Sequence, residues 1–330
     1  MEEAFPAARH RATEPLKPAN VATVTTTARL HFGFLDPSGK GSRPFGSFGL
    51  SLDRPRTRLT LRQAATTAVS GPEAERAQRY LEEIAERCGV AQDYELRVAE
   101  AIPPHAGLGS GTQLALAVGT ALAALEGVAL NPAEIAAELG RGARSGIGIA
   151  TFAQGGLVLD GGPAQKGLPP LIRRLPFPET WRVILIFDEQ VVGLSGLDEI
   201  SAFQTLPAFP DAQTEDLGRR VRTGLAAVED HDFPGFCDQV GALQVAMGAY
   251  FGALQGGMFV SQGVGEAIAW LRHQGLSGLG QSSWGPTGFA FVPSEAEGQA
   301  LLAQLQERAG AGLRFELAQG RNDGAEILTR

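Results

Sequence analysis

Residues 103–112 read Pro103-Pro104-His105-Ala106-Gly107-Leu108-Gly109-Ser110-Gly111-Thr112, and the apolar segment TQLALAVGTALAALE (112–126) follows without a break. Closely spaced glycines let the backbone bend with its N–H groups facing inward. A helix start adds N–H donors and a partial positive charge. Gly107, Gly109, Ser110, Gly111 and Thr112 therefore form a candidate site for a phosphate or diphosphate, with the two hydroxyls as further donors or as holders of a hydrated metal. The loop is not a Walker motif, because no Gly-Lys-Ser/Thr follows, and it is not the dinucleotide fingerprint. Taken alone, the same spacing also serves a turn into a buried helix. The helix itself is apolar nearly all round over 114–125, which predicts burial and a loop held rigidly at its start.

Working outward, the segment before the loop, YELRVA (94–99), alternates as a strand. Residues 72–88 carry a charged helical pattern with Tyr80, Leu81, Ile84 and Ala85 on one side. TRLTLR (57–62) and VATVTTT (21–27) read as strands. Downstream, Asn131-Pro132 opens a helix with a capping residue and a proline at its first position. GLVLD (156–160) reads as a strand. Residues 161–178 are dense in Gly and Pro and mark the best domain boundary. Beyond them come strands at 182–187, 287–292 and 313–317 and helices at 216–230, 233–255, 264–274 and 294–309. The chain of 330 residues thus divides into a tail (1–20), an N-terminal domain (21–165) and an α+β C-terminal domain (166–330). The tail is rich in Ala, Pro, Glu and Arg and lacks an apolar core before a cleavage site. It reads as mobile and not as a secretory signal.

Hydrophobic residues make up 44% of the chain and charged residues 19%, enough to bury a sizeable core. The net charge of −8 disfavours nucleic acid and anionic membranes as partners. It leaves room for a locally positive pocket. No apolar stretch reaches the roughly 20 residues that span a bilayer. Cys88 and Cys237 lack metal-ligand spacing and read as two buried thiols in a reducing cytoplasm.

Two further segments carry candidate chemistry. In Ala28-Arg29-Leu30-His31-Phe32-Gly33, Arg29 is suited to clamp a carboxylate or phosphate through paired hydrogen bonds. His31 is suited to donate to the same anion or to act as a general acid. The plain alternatives are a surface ion pair and a satisfied buried histidine. In Gly280-Gln281-Ser282-Ser283-Trp284-Gly285-Pro286-Thr287, small hydroxyl residues beside a tryptophan suit a ligand-facing loop. There Gln281, Ser282, Ser283, Trp284 and Thr287 are the candidate substrate-binding residues. A tight turn with Trp284 as a core plug is the plain alternative.

These elements, in this order, resemble the GHMP kinase superfamily. Its N-terminal domain carries a Pro-x-x-x-Gly-Leu-Gly-Ser-Gly loop, matched here at 104–111, and its C-terminal domain is ferredoxin-like with a further glycine-rich loop. Many of its kinases have a Ser-Gly-Ile-Asp segment whose aspartate takes the proton from the substrate hydroxyl. Here the segment is Ser145-Gly146-Ile147-Gly148, and Gly148 has no side chain to accept a proton. Asp160, at a strand end downstream, is a poor substitute.

The branch this chain resembles is β-ribofuranosylaminobenzene 5′-phosphate synthase. The resemblance runs through residues 28–33 on to Asp36, through 45–50 and through the loop at 104–111. It continues at Gly193-Leu194-Ser195-Gly196 with Glu199, and at 281–287 preceded by Gln255-Gly256-Gly257. It implies transfer of a phosphoribosyl group from phosphoribosyl diphosphate to 4-aminobenzoate, with loss of carbon dioxide and diphosphate, in tetrahydromethanopterin biosynthesis. It implies Mg²⁺ with the diphosphate, the 107–112 loop as diphosphate site, and Arg29 as carboxylate clamp with His31 beside it. A cytoplasmic homodimer is also implied. An ATP-dependent GHMP kinase is the alternative enzyme and needs a base in place of Gly148. A non-catalytic ligand sensor on the same scaffold would bind without turnover.

Overall fold

The computed structural model describes residues 19–40, 45–90, 92–163, 167–193, 196–308, 310 and 312–330. The tail expected over 1–20 lies outside these residues, apart from Ala19 and Asn20. Leu194 and Ser195 of the 193–196 motif lie outside them as well.

The chain opens with two long strands, β1 (Val21–Asp36) and β2 (Phe45–Gln63), followed by β3 (Ala68–Ser70), α1 (Ala74–Cys88) and β4 (Tyr94–Glu100). Next come α2 (Ser110–Glu126), α3 (Pro132–Glu138), α4 (Ile147–Gln154), β5 (Leu157–Asp160) and β6 (Leu171–Leu175). The second half holds β7 (Arg182–Asp188), α5 (Gly196–Thr205), α6 (Asp211–Glu229), α7 (Phe233–Gln255) and α8 (Gln262–His273). It ends with β8 (Leu279–Gln281), β9 (Gly288–Val292), α9 (Glu295–Arg308), β10 (Leu313–Gln319) and β11 (Glu326–Thr329).

These strands form two sheets. The first runs β11-β1-β2-β4-β3, with β5 on the other end of β2 and β6 beyond β5. The second runs β10-β7-β9-β8 and is antiparallel throughout. The architecture is the α+β arrangement that the sequence predicts. The last strand, β11, returns to pair with β1, so the chain's end closes one edge of the first sheet.

The sheets are built by the period-2 rule. In β7, Val183, Leu185 and Phe187 enter the core shared with the first sheet. Ile184 and Ile186 pack on the opposite face with α8, α9 and their neighbours. Both faces are covered, which explains the unbroken apolar run RVILIF. In β1, Ala28, Leu30, Phe32 and Phe34 enter the shared core. The pairing is regular from Arg29↔Ser51 to His31↔Gly49, so Arg29 and His31 share the opposite face. The helix expected after the glycine loop is α2, buried at every position from Gln113 to Leu125. Helices α1, α3 and α4 surround it, and it lies against β1 and β2.

Several elements are longer than expected or new. The strand read at 21–27 continues to Asp36 through two bulges, between Thr27 and Arg29 and between His31 and Gly33. β6 sits inside the Gly- and Pro-dense stretch. α4 begins at the Ser145-Gly146 turn.

That turn is anchored by Asp160. Its buried carboxylate accepts from the N–H groups of Ser47 (2.9 Å), Gly146 (2.7 Å) and Gly162 (2.9 Å) and from Ser145 Oγ (3.2 Å). Burial pushes its pKa up, against the pull of these donors. Asp160→Asn replaces one acceptor oxygen by an NH2 group that faces donors. A lowered denaturation midpoint at unchanged m-value is expected, worth about 2 kcal/mol.

Candidate active site

Three segments meet where β1 passes the glycine loop, and hydrogen bonds lace them together. The N–H of Arg29 donates to the Leu108 carbonyl (3.1 Å), and Arg29 Nη1 donates to the Gly107 carbonyl (2.6 Å). Ser282 Oγ donates to the same Gly107 carbonyl (2.8 Å) and accepts from the His31 N–H (3.0 Å). The Ser283 N–H donates to the His31 carbonyl (3.0 Å). Two glycines make this approach possible. Gly107 has φ +74°, and a Cβ there would run into the Ser282 carbonyl. Gly109 has φ +81°, and a Cβ there would sit 3.2 Å from Arg29 Nε.

The laced strand and loops, with the N-terminus of α2, the 140–148 segment and α5, line a cleft of two adjoining chambers. The inner chamber is about 220 Å³ and the outer about 340 Å³. Arg29, Gly109, Thr112, Arg141, Glu199 and Ser283 line both.

The outer chamber gathers N–H donors and cations. Gly109 caps α2 without a side-chain hydrogen bond, which leaves the first N–H groups of the helix, at Ser110, Gly111 and Thr112, without intrahelical acceptors. Arg76 and Arg79 from α1 and Arg141 join them on the wall. Arg76 is paired with Glu73 (3.0 Å), and its Nη2 lies 3.2 Å from His105 Nε2. Arg141 donates to the Tyr80 hydroxyl and lies 5.0 Å from the centre of that ring. Its Nε is buried without a partner. An acidic chain thus holds a strongly basic cleft.

The inner chamber is lined by His31, Phe34, Arg144, Ser145 and Gly148 in addition to the shared residues. Arg144 is paired with Glu199 (3.0 Å) and lies 4.7 Å from the centre of the Phe203 ring. Desolvation brings the pKa of Arg29 down to about 10, partly offset by Glu199, so it remains a cation at neutral pH. His31 is 3% exposed, and neither ring nitrogen has a partner. Burial first, then Arg29 and Arg144, hold its pKa well below 6.5. These causes favour the neutral imidazole in the free protein.

Of the residues singled out in the sequence, Arg29, His31, Gly107, Gly109, Ser110, Gly111, Thr112, Ser283 and Trp284 reach the cleft. Trp284 is nonetheless 4% exposed and packed between Phe203 and Phe251, with ring centres 5.4 and 4.5 Å away. Three expected substrate contacts do not line this cleft. Ser282 is fully buried and spends its hydroxyl on the lacing. Gln281 faces a separate small cavity, where its Oε1 accepts from the Val260 N–H (2.9 Å). Thr287 is fully buried behind the loop. The arginines at 76, 79, 141 and 144 were not singled out. The signal for two of them was the run Arg141-Gly142-Ala143-Arg144-Ser145-Gly146, where glycines flank basic residues just before a helix start.

The position of the kinase aspartate, on the wall of the inner chamber, is crowded as well as empty of a carboxylate. A Cβ at Gly148 would meet Thr112 Cγ2 at 3.0 Å. Asp160, with four donors and 1% exposure, has no free oxygen to offer a substrate.

The fold and this phosphate loop define a class. Residues 75–156 match the GHMP kinases N terminal domain and residues 225–311 match the GHMP kinases C terminal domain. Solved structures share the fold at low identity. A homoserine kinase from Cytophaga hutchinsonii superposes with TM-score 0.64 at 15% identity, over 99% of this chain and 100% of that one. Mevalonate diphosphate decarboxylase from Staphylococcus aureus gives 0.66 at 15%, over 94% and 98%.

Full-length relatives narrow the class. The beta-ribofuranosylphenol 5′-phosphate synthase of Archaeoglobus fulgidus is 32% identical, with 92% of this chain and 98% of that protein covered. The protein of the same name from Methanothermobacter thermautotrophicus is 29% identical over 92% and 98%. The chain belongs to the beta-ribofuranosylphenol 5′-phosphate synthase family of GHMP proteins.

His31 yields a test of the site's electrostatics. Its folded pKa lies below the unfolded value near 6.5. As pH falls through 6.5 the unfolded chain takes up a proton that the folded chain refuses, and stability is lost. The denaturation midpoint is expected to fall between pH 7 and pH 5 by more in the wild type than in His31→Phe. Equal slopes would mean that His31 titrates normally in the fold.

Proposed function

We propose that the chain joins the ring of a para-substituted benzoate to C1 of phosphoribosyl diphosphate, releasing carbon dioxide and diphosphate. The para group is the amine of 4-aminobenzoate or the hydroxyl that the relatives' name gives to their product. On this reading the product serves tetrahydromethanopterin biosynthesis. The observation that carries the proposal is a two-chambered, arginine-lined cleft on a GHMP phosphate loop, with glycine where the kinase base would stand.

The outer chamber receives the phosphates. Negative charge grows on the departing diphosphate, and the N–H groups at Ser110 to Thr112 and the guanidinium groups of Arg76, Arg79 and Arg141 meet it from fixed positions. The inner chamber receives the aryl acid. Arg29, at the junction, clamps its carboxylate and aligns the ring carbon with ribose C1. Loss of carbon dioxide then restores aromaticity.

Mg²⁺ is part of this reading as a companion of the diphosphate, bound by phosphate oxygens and water. Among the described residues no group of three or more His, Cys, Asp or Glu side chains is placed to hold a metal. Charge neutralisation by the protein falls to the arginines and the α2 terminus. A homodimer is supported by the exposed apolar residues on the outermost strands of the first sheet, Leu171 and Ile172 on β6 and Ile327 and Leu328 on β11. No helix among the described residues is long and apolar enough to cross a membrane. Cys88 and Cys237 are free thiols, in keeping with the cytoplasm.

The direct test is release of labelled carbon dioxide from carboxyl-labelled 4-aminobenzoate and 4-hydroxybenzoate, with phosphoribosyl diphosphate, Mg²⁺ and an ATP control. Release that requires phosphoribosyl diphosphate is expected. Inertness to both acids, with ATP spent on an alcohol, would return the chain to the kinases. Arg141→Ala is expected to raise the KM for phosphoribosyl diphosphate roughly tenfold, the worth of a hydrogen bond to a charged group. An unchanged KM would place the phosphates elsewhere.

A further inference from the structure

Resting on the synthase reading, the chamber geometry orients the aryl acid and singles out one group for proton transfer. Arg29 lines both chambers and so stands at their junction, whereas His31 lines only the inner one. The ring carbon that bears the carboxylate must reach ribose C1, which lies with the leaving diphosphate beside the α2 terminus. The para substituent, at the opposite end of the ring, therefore points into the inner chamber.

The polar side chains there are unequally committed. Arg144 is tied to Glu199, and Ser145 Oγ donates to Asp160. The His31 ring is buried with both nitrogens unpartnered. Its backbone is held at both ends, by Ser282 Oγ and the Ser283 N–H, and its ring lies 4.6 Å from that of Phe34. A neutral imidazole offers one lone pair and one N–H. A buried, immobilised ring with both positions unspent is placed to receive a substrate hydroxyl.

We propose that His31 takes the proton of the para-hydroxyl when the substrate is a hydroxyl-bearing aryl acid, and returns it after carbon dioxide has left. As the O–H bond breaks toward the imidazole, its electron pair enters the ring. The ring carbon bearing the carboxylate bonds to ribose C1, and the bond from C1 to the diphosphate oxygen breaks with its electrons on diphosphate. The resulting dienone loses carbon dioxide, the electrons of that C–C bond rearomatise the ring, and the oxygen recovers its proton from His31. No other reactant is consumed.

The charged groups facing His31 support this direction. Arg29 and Arg144 disfavour its protonation in the free protein, with Glu199 beside them. A bound carboxylate and diphosphate offset the two arginine fields, so the proton affinity of His31 rises when substrate is present. An amine behaves differently, because its nitrogen lone pair can feed the ring without losing a proton.

The test compares the two acids in one enzyme. His31→Gln is expected to lower kcat with 4-hydroxybenzoate roughly a hundredfold more than with 4-aminobenzoate, the usual worth of a positioned base. In the wild type, kcat with the hydroxy acid is expected to fall at acid pH along a limb that the amino acid lacks. That comparison decides the matter even where the variant fails to fold. If only the hydroxy acid is turned over, His31→Gln must abolish the acid limb. Equal losses with both acids would make His31 a positioning residue and overturn the proposal while leaving the synthase reading intact. A selective loss in Glu199→Gln in place of His31→Gln would assign the proton to Glu199 and overturn it too. Turnover of 4-aminobenzoate alone would remove the hydroxyl from the reaction and the proposal with it. A wild type inert to both acids would overturn the synthase reading itself.

Discussion

The cleft depends on one small set of hydrogen bonds, those that converge on the Gly107 carbonyl and the backbone of His31. Ser282 and Arg29 both donate to that carbonyl, and Ser282 also holds the His31 N–H. Three segments far apart in sequence are thereby fixed within one hydrogen-bond length of one another. The strand that carries Arg29 and His31, the loop that opens α2 and the loop before β9 are tied to one another by these bonds. Ordering entropy is spent in folding instead of in binding, which is the condition for electrostatic stabilisation of a transition state. It also explains why residue 107 is glycine, since a side chain there would break the lacing.

Charge is distributed against the average of the molecule. The chain carries −8, yet the cleft gathers five arginines, with Glu199 as the carboxylate on its wall. Glu73 and Glu199 each hold one arginine in place, at 3.0 Å in both cases. These partners fix guanidinium positions without neutralising the site. An anion entering it meets a field that the surrounding acidic surface does not supply, and low-dielectric walls make that field stronger than it would be in water.

Much of this was legible in the sequence, and what was not has physical causes. The buried helix after the glycine loop could be read because an all-apolar helix has one stable place to be. Arg29 and His31 share a face through the period of a strand, although the expected strand stopped at Thr27. The rest of β1 was hidden because bulges and glycines break the alternation of its second half. Ser282, Gln281 and Thr287 could not be told from the cleft-lining Ser283 because a run of small polar residues looks alike whether its side chains face a ligand or the protein's own backbone. The arginines at 76, 79, 141 and 144 were invisible as a set. They come from α1 and from the segment before α4, and only the packing of these elements around α2 brings them to one cavity.

Gly148 joins these threads. In a kinase of this fold a carboxylate there faces a substrate hydroxyl. Here the same place borders a chamber proposed to hold an aryl carboxylate, and a second carboxylate beside it would act as a like charge. At about 4 Å, such a pair costs roughly 1 kcal/mol in water and about 4 kcal/mol near a protein surface. Glycine at 148 therefore does more than lack a base, because it leaves Arg29 without a competing carboxylate beside a substrate anion. Thr112, whose methyl would crowd a Cβ at 148, takes up part of the vacated space and keeps α4 against the start of α2. With no carboxylate at 148 and Asp160 committed to four donors, the imidazole of His31, both ring nitrogens buried and unpartnered, is the proposed proton carrier of the inner chamber.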